Sequence, residues 1–191
     1  AATRNSAQQL AQALGANYAV MPISESYELT VKQLEETPIT HLADGSSFNL
    51  QLSGLIKENI QARDRGARVI AAASAAFGGA FSCNSNKAEL AIGYATFYGD
   101  ICGAMAMIGD LWKHQVYALG RYLNEEVYKR KVIPEAIFTI RPSAELSDAQ
   151  TVGNGGDPLV YSYHDYLLRA FIENWHKTTP ADILRWYKAG T

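Results

Sequence analysis

The chain has 191 residues, 48% of them hydrophobic, and its 17 Lys and Arg nearly balance 19 Asp and Glu, leaving a formal net charge of -2. This near balance of charges argues against electrostatic binding to nucleic acid or to an anionic membrane. Small molecules or proteins are therefore the expected partners. No apolar run approaches the roughly 20 residues of a membrane span. Cys83 and Cys102 are too few for a disulfide framework. These features predict a single cytoplasmic domain, and the start without Met suggests part of a longer polypeptide.

The amino-terminal part predicts a helix followed by a strand. Apolar residues recur at helical spacing over residues 6–14, and Gly15 follows as a favourable helix C-cap. The short apolar run at 17–23 predicts a buried parallel strand, which is typical of an α/β chain. Residues 27–36 predict a second helix, and residues 38–47 predict a loop.

A long helix is predicted over residues 50–77, where Gly78 and Gly79 follow as breakers. On this helix Asn59 and Arg63 lie four residues apart and therefore share a face. The pair is suited to gripping a carboxylate or a phosphate, but a solvated helix face explains the same pattern.

Residues 80–83 predict a second buried strand, and a helix begins at about Lys87. The run CNSNKAE between them places amide donors, a Lys and a carboxylate at a strand's carboxyl end, where α/β sheets bind ligands. Phosphates and a divalent metal suit such a run. Alternatively, Asn86 caps the helix and Glu89 is its capping-box partner.

The next predicted helix spans residues 111–123, with Asp110 as its N-cap. Lys113 then lies in the first turn, where the helix dipole disfavours a cation. A bound anion would remove this conflict, although a Lys that reaches into water is the alternative.

Two further segments have open interpretations. GYATFYGD, at residues 93–100, is suited to stacking a base or to packing in the core. In RPSAE, Ser143 is either an N-cap or a phosphate ligand. Residues 151–158 predict a polar loop or a mobile flap, and two closing helices are predicted at 163–174 and 180–188. Two predicted strands are too few for a self-contained parallel sheet.

Five segments occur in the order and spacing of NAD synthetases, and the resemblance extends over essentially the whole chain: ENIQARDRG, NSNKAE, GYATFYGD, IGDLWKHQVYALGRYLN and RPSAEL. They resemble the glutamine-dependent branch more than the ammonia-dependent one. The resemblance implies a Rossmann-like adenine nucleotide alpha hydrolase fold, α/β, with a parallel sheet flanked by helices and incomplete here. It also implies amidation of deamido-NAD to NAD through an adenylated intermediate. ATP and Mg²⁺ are required, glutamine or ammonia supplies the nitrogen, and AMP and pyrophosphate are released.

The resemblance also implies site residues. ATP would be bound by Asn84, Lys113 and Ser143. Glu89 would lie at the metal and at deamido-NAD, whose other contacts would be Asn59, Arg63, Tyr94, Ala95, Thr96 and Phe97. Part of the deamido-NAD site would be completed across a dimer interface, so a homo-oligomer is expected.

The sequence departs from the family at three places. Asn84 stands where Thr is usual, and residues 104–106 replace a stretch that is often Gly-rich or acidic. The SGGxDS pyrophosphate loop does not occur in the chain. We therefore interpret residues 1–191 as the carboxyl-terminal part of a synthetase domain that does not turn over ATP by itself. A glutaminase domain would lie upstream in the glutamine-dependent branch. Two alternatives are another ATP pyrophosphatase, such as a GMP synthetase, and a non-catalytic nucleotide-binding or oligomerisation module.

Overall fold

The structure is a computed structural model that describes residues 2–144, 156–174 and 177–190, and helices dominate these residues. The first half contains α1 (Ala2–Leu14), α2 (Ser24–Glu36), β1 (Ile39–Thr40), β2 (Ser47–Phe48), α3 (Gly54–Arg63), a π-helical segment (Asp64–Ile70) and α4 (Ala71–Ala76). The second half contains α5 (Lys87–Ile92), α6 (Lys113–Tyr122), a second π-helical segment (Leu123–Val127), α7 (Glu135–Thr139), α8 (Tyr161–Ile172) and α9 (Pro180–Ala189).

The predicted helices are confirmed, with boundaries shifted by a few residues. The helix predicted over 50–77 is a continuous helical run from Gly54 to Ala76, because Ser53 supplies the N-cap by accepting the backbone N–H of Ile56. α9 begins at Pro180, where Thr179 and Asp182 form a capping box. α8 begins at Tyr161, two residues before its predicted start. In the described part of the chain, no helix is both long and apolar enough to cross a bilayer.

The strand predictions are wrong in most respects. Residues 17–23 form no strand, and Tyr18, Val20 and Met21 are 42%, 47% and 53% exposed. A parallel strand needs a neighbour for its backbone N–H and C=O groups, and no described segment pairs with this one. Residues 80–83 retain one parallel bridge, between Ser82 and Met105.

The predicted loop at 38–47 contains a strand instead, because β1 pairs with β2 as a short antiparallel hairpin. Ile39 lies opposite Phe48, and Thr40 lies opposite Ser47. This hairpin is the one sheet among the described residues, so the parallel sheet of the predicted α/β fold is absent from them.

Helices α5 and α6 both pack against α8, and the side chain of Trp112, the N-cap of α6, is fully buried. The indole N–H donates to Glu173 at 2.9 Å, and Lys87 forms an ion pair with the same carboxylate at 2.7 Å. Lys87 also pairs with Asp110 at 2.8 Å. Asp110 is therefore not the predicted N-cap of α6, because Trp112 occupies that position.

The start of α6 is fixed from α8. Asp165 is fully buried and accepts hydrogen bonds from the backbone N–H of His114 at 2.9 Å and from the His114 ring at 3.0 Å. A carboxylate in this position satisfies one of the unpaired N–H groups of the helix and matches its dipole. The first turn of α6, which carries Lys113, is therefore anchored to α8.

The first π-helical segment lies against the GYATFYGD turn with no space for a side chain. A Cβ atom on Gly66 would lie 2.0 Å from the carbonyl oxygen of Gly99, which is backbone and cannot rotate away. We expect Gly66→Ala to lower the free energy of unfolding by about 1–3 kcal/mol, the usual cost of overpacking. Thermal melting measures this effect.

Gly54→Ala is the matched control, because nothing lies within 4 Å of a Cβ at Gly54. We expect this variant to melt at or slightly above the wild-type temperature, since Ala is the better helix former. Equal melting temperatures for the two variants would show that the close approach at Gly66 does not matter.

Candidate functional site

A cavity of about 880 Å³ lies beside α3, α5 and α6. Eight of the ten site residues implied by the resemblance line it: Asn59, Asn84, Glu89, Tyr94, Ala95, Thr96, Lys113 and Ser143. The other two do not line it. Arg63 donates from Nε to the backbone oxygen of Phe97 at 3.2 Å, and the Phe97 side chain is 71% exposed.

Glu89 is the capping-box partner of Asn86, and it also takes part in a cluster of charged groups. One carboxylate oxygen, Oε2, accepts the backbone N–H of Asn86 at 3.0 Å and completes the capping box of α5. The other oxygen, Oε1, accepts a hydrogen bond from the Tyr161 hydroxyl at 3.0 Å and lies 3.7 Å from Nζ of Lys113. One oxygen of the carboxylate therefore serves the helix cap while the other takes part in a charged cluster.

Lys113 is the first residue of α6, as its predicted place in the first turn requires. Its side chain is 20% exposed and lies with Nζ 4.9 Å from the ring centre of Tyr161, so it does not reach away into water. The ammonium group is thus held in the cavity wall against an aromatic face, despite the unfavourable helix dipole. A cation in this position is suited to an anionic ligand.

Asp157 and Tyr161 join this cluster, and sequence reasoning missed both. The Tyr161 hydroxyl lies 3.0 Å from Oδ2 of Asp157, and the Tyr94 hydroxyl donates to Oδ1 at 3.5 Å. Asp157 is 7% exposed. Asp157 lies in a polar run that predicts a loop, and Tyr161 lies just outside the predicted helix. Neither pattern indicates a contact with Glu89.

Both tyrosines are held in their neutral form. Burial, followed by the charges of Asp157 and Glu58, raises the pKa of Tyr94 to about 12. Burial, followed by the charges of Glu89 and Asp157, raises the pKa of Tyr161 well above its usual value. The two hydroxyls therefore keep their protons near neutral pH and act as hydrogen-bond donors to the carboxylates.

Ser143 reaches the cavity because two segments meet there. The backbone N–H of Asp157 donates to the carbonyl oxygen of Pro142 at 2.8 Å. Gly156 has φ +66°, and a Cβ on it would lie 2.5 Å from the same oxygen, so both the conformation and the space favour Gly. The N-cap alternative for Ser143 depends on residues 145–150, and most of the predicted loop is residues 151–155; both lie outside the described residues.

The GYATFYGD turn is held from α3. Oγ1 of Thr96 donates to the amide oxygen of Asn59 at 2.7 Å, and the Thr96 backbone N–H donates to Asp100 at 2.8 Å. Of the three aromatics in this segment only Tyr94 lines the cavity, since Phe97 and Tyr98 are 71% and 74% exposed. The alternative that the cluster is core is therefore wrong for these two rings.

Among the described residues, no group of three or more His, Cys, Asp or Glu could hold a metal ion. The carboxylates of Glu89 and Asp157 both lie within hydrogen-bond distance of one hydroxyl, which has a single proton. One ammonium, that of Lys113, lies 3.7 Å from Glu89 beside these two carboxylates, so the cluster has net negative charge. Hard oxygen ligands of this kind suit Mg²⁺, which is commonly held by one or two carboxylates together with substrate phosphates.

Comparisons with known proteins identify the family to which the chain belongs. The NAD synthase family model matches residues 2–187. The "Glutamine-dependent NAD(+) synthetase" of Thermotoga maritima is 36% identical over 87% of the chain, which spans 27% of that protein's length.

Solved structures of related proteins have the same fold. The chain is similar to an NMN synthetase from Francisella tularensis, with a TM-score of 0.67, 23% identity, and coverage of 98% of this chain and 68% of that one. A glutamine-dependent NAD+ synthetase from Acinetobacter baumannii in complex with ADP gives a TM-score of 0.59 at 25% identity, covering 87% of this chain and 32% of that one. Because the family match extends over nearly the whole chain, the protein belongs to the NAD synthase family.

Proposed function

We propose that the complete gene product amidates deamido-NAD to NAD at the expense of ATP. The observation that carries this proposal is that Lys113, Glu89 and Asp157 lie in the wall of one cavity and are joined by Tyr161, within a chain of the NAD synthase family. The activity is assigned to the complete gene product because the chain spans 27% of its Thermotoga maritima relative.

The ATP end of the proposed site is built from Lys113, Ser143 and Asn84. Lys113 supplies a positive charge at the amino end of α6, whose own N–H groups also favour an anion. Asn84 accepts from the Ser82 hydroxyl at 2.9 Å through its amide oxygen, so its NH₂ group can donate into the cavity. An amide donor is therefore a reasonable substitute for the Thr that is usual in the family.

Mg²⁺ is the metal that we propose for Glu89, with Asp157 beside it. The fit rests on the oxygen ligands and on the charge of two carboxylates beside one ammonium. When bound, the ion supplies positive charge that offsets the charge of the ATP phosphates and of the pyrophosphate leaving group.

Deamido-NAD is proposed to lie along Tyr94, Ala95 and Thr96, close to Asn59. The Tyr94 ring offers a flat apolar surface for the nicotinate, and its neutral hydroxyl adds no charge to repel the carboxylate.

The nicotinate carboxylate attacks the α-phosphorus of ATP and pyrophosphate leaves. Ammonia then attacks the acyl carbon and AMP leaves. The chain contributes mainly position and electrostatic stabilisation to these steps.

In the proposed function the chain forms a homodimer or a higher oligomer. Arg63 and Phe97 belong to the deamido-NAD site of that assembly. Both lie outside the cavity of one chain, on an exposed surface beside it. The accessible surface is 12939 Å², whereas a compact monomer of 20.9 kDa exposes about 9,000 Å². A second copy would cover part of this excess surface and would bring further residues to the ligand.

The remaining expectations are part of the same proposal. We propose that residues 1–191 act as one domain, whose Rossmann-like parallel sheet is completed by other parts of the gene product. An SGGxDS loop and a glutaminase domain are expected in those parts. The cytoplasmic location, predicted in part from the cysteine content, remains a prediction; Cys83 and Cys102 are both free thiols.

The test is NAD and AMP formation by the complete gene product, given deamido-NAD, ATP and Mg²⁺ with either ammonium or glutamine. We expect NAD and AMP in equal amounts, loss of both when Mg²⁺ is chelated, and use of glutamine as the nitrogen source. Xanthosine monophosphate is the control acceptor and should give no product. Binding of deamido-NAD without product would favour the non-catalytic module, and amidation of xanthosine monophosphate would favour another ATP pyrophosphatase.

A further inference from the structure

Tyr161 is the side chain that connects the charged groups of the cavity wall. It begins α8, and its hydroxyl lies 3.0 Å from Glu89 on α5 and 3.0 Å from Asp157. Its ring faces Nζ of Lys113 on α6 at 4.9 Å. One residue therefore contacts both members of the Lys113–Glu89 pair and the neighbouring acid.

The separation of that pair is unusual for opposite charges that are both largely shielded from water. Nζ of Lys113 and Oε1 of Glu89 are 3.7 Å apart, beyond the 2.7–2.9 Å of a charge-assisted hydrogen bond. Their side chains are only 20% and 17% exposed. The Glu89 oxygen receives the Tyr161 proton instead, and the Lys113 ammonium rests on the Tyr161 ring.

Glu89 would otherwise be drawn towards Lys113. Oε2 of Glu89 is held by the Asn86 backbone N–H, but Oε1 depends on the Tyr161 hydroxyl for a hydrogen bond. Without that hydroxyl, Oε1 would accept a hydrogen bond from the Lys113 ammonium. The resulting ion pair would neutralise the positive charge that binds a phosphate.

We propose that Tyr161 is a positioning residue, which holds Glu89 away from Lys113 and so leaves the Lys113 ammonium available to the phosphates of ATP. The inference rests on the proposed function, because it takes ATP as the ligand of Lys113. The hydroxyl also lies 3.0 Å from a second acceptor, Oδ2 of Asp157.

The experiment measures ATP affinity by calorimetry in the presence of EDTA, so that Glu89 does not act through a metal. Tyr161→Phe keeps the ring over Lys113 and removes only the hydroxyl. We expect it to weaken ATP binding on the order of tenfold, as for a lost hydrogen bond to a charged group. Tyr163→Phe, two residues along the same helix and largely exposed, is the matched control and should bind ATP as the wild type does.

A second variant separates positioning from a general loss of structure. Glu89→Gln removes the charge that would capture Lys113, so the double variant Tyr161→Phe/Glu89→Gln should recover ATP affinity to within about twofold of Glu89→Gln alone. A purely structural role for Tyr161 predicts instead that the separate effects of Tyr161→Phe and Glu89→Gln on ATP affinity multiply in the double variant. In the steady state, Tyr161→Phe should raise the KM for ATP far more than the KM for deamido-NAD.

The outcomes distinguish the inference from the function on which it rests. Wild-type protein that binds no ATP either in EDTA or with Mg²⁺ overturns both, and wild-type binding that appears only with Mg²⁺ overturns the positioning role. Wild-type binding that Tyr161→Phe leaves unchanged, or a defect that Glu89→Gln does not relieve, overturns the positioning role alone and leaves the proposed synthetase in place.

Discussion

Replacing Glu89 by Gln in the complete gene product is expected to lower kcat for NAD formation by about 10²–10³-fold, the usual scale for losing one preorganised electrostatic group. The carboxylate has one oxygen in the α5 cap and one facing Tyr161 and Lys113. Gln keeps an oxygen for the cap but loses the charge that a metal ion requires. Steady-state rates over a range of Mg²⁺ concentrations measure the effect.

The melting temperature provides the control for this variant. We expect Glu89→Gln to melt close to the wild type, because the Gln carbonyl can still accept the Asn86 backbone N–H. Glu89→Ala should lose both activity and stability, since it removes the capping oxygen as well. Wild-type rates and wild-type Mg²⁺ dependence in Glu89→Gln would show that Glu89 serves only as a helix cap.

Lys113→Met is expected to raise the KM for ATP by about two orders of magnitude, because it removes a charge that pairs with phosphate in a largely buried place. Met fills similar space along the Tyr161 ring, so the packing of the α6 start is retained. Its anchor to Asp165 is also independent of the Lys113 side chain. Initial rates at varied ATP, with deamido-NAD saturating, measure the change.

Lys87→Met is the matched control, because Lys87 lies in the same part of the fold and forms ion pairs with Asp110 and Glu173. It does not line the cavity. We expect a modest fall in melting temperature and an unchanged KM for ATP. If both variants raise the KM equally, the effect belongs to net charge and not to a phosphate contact at Lys113.

The helices could be predicted from local signals, whereas the strands could not. Ser53, Asn86 and Thr179 cap helices through their own side chains, and these caps can be recognised within a few residues of sequence. A buried strand has no such local mark, because its hydrogen bonds go to another segment. The apolar run at 17–23 therefore satisfies the pattern of a strand without having a partner among the described residues.

The candidate site was predicted as far as the resemblance extends. Residues that bear a recognisable motif, such as Glu89 and Lys113, lie together in the cavity. Asp157 and Tyr161 could not be found in this way, since their role depends on how α8 packs against α5 and α6. The predicted N-cap at Asp110 failed for a similar reason, because Lys87 on another helix takes its carboxylate.

The hydrogen bond between the Pro142 carbonyl and the Asp157 N–H has a consequence for how this family can vary in length. It holds Pro142 against Asp157, and the Asp157 carboxylate has hydrogen-bond partners in Tyr94 and Tyr161 among the described residues. The entropic cost of closing the chain between Pro142 and Asp157 grows slowly, by about 0.6 kcal/mol for each doubling of its length. Insertions and deletions between relatives can accumulate there while the acid keeps its place beside Tyr161.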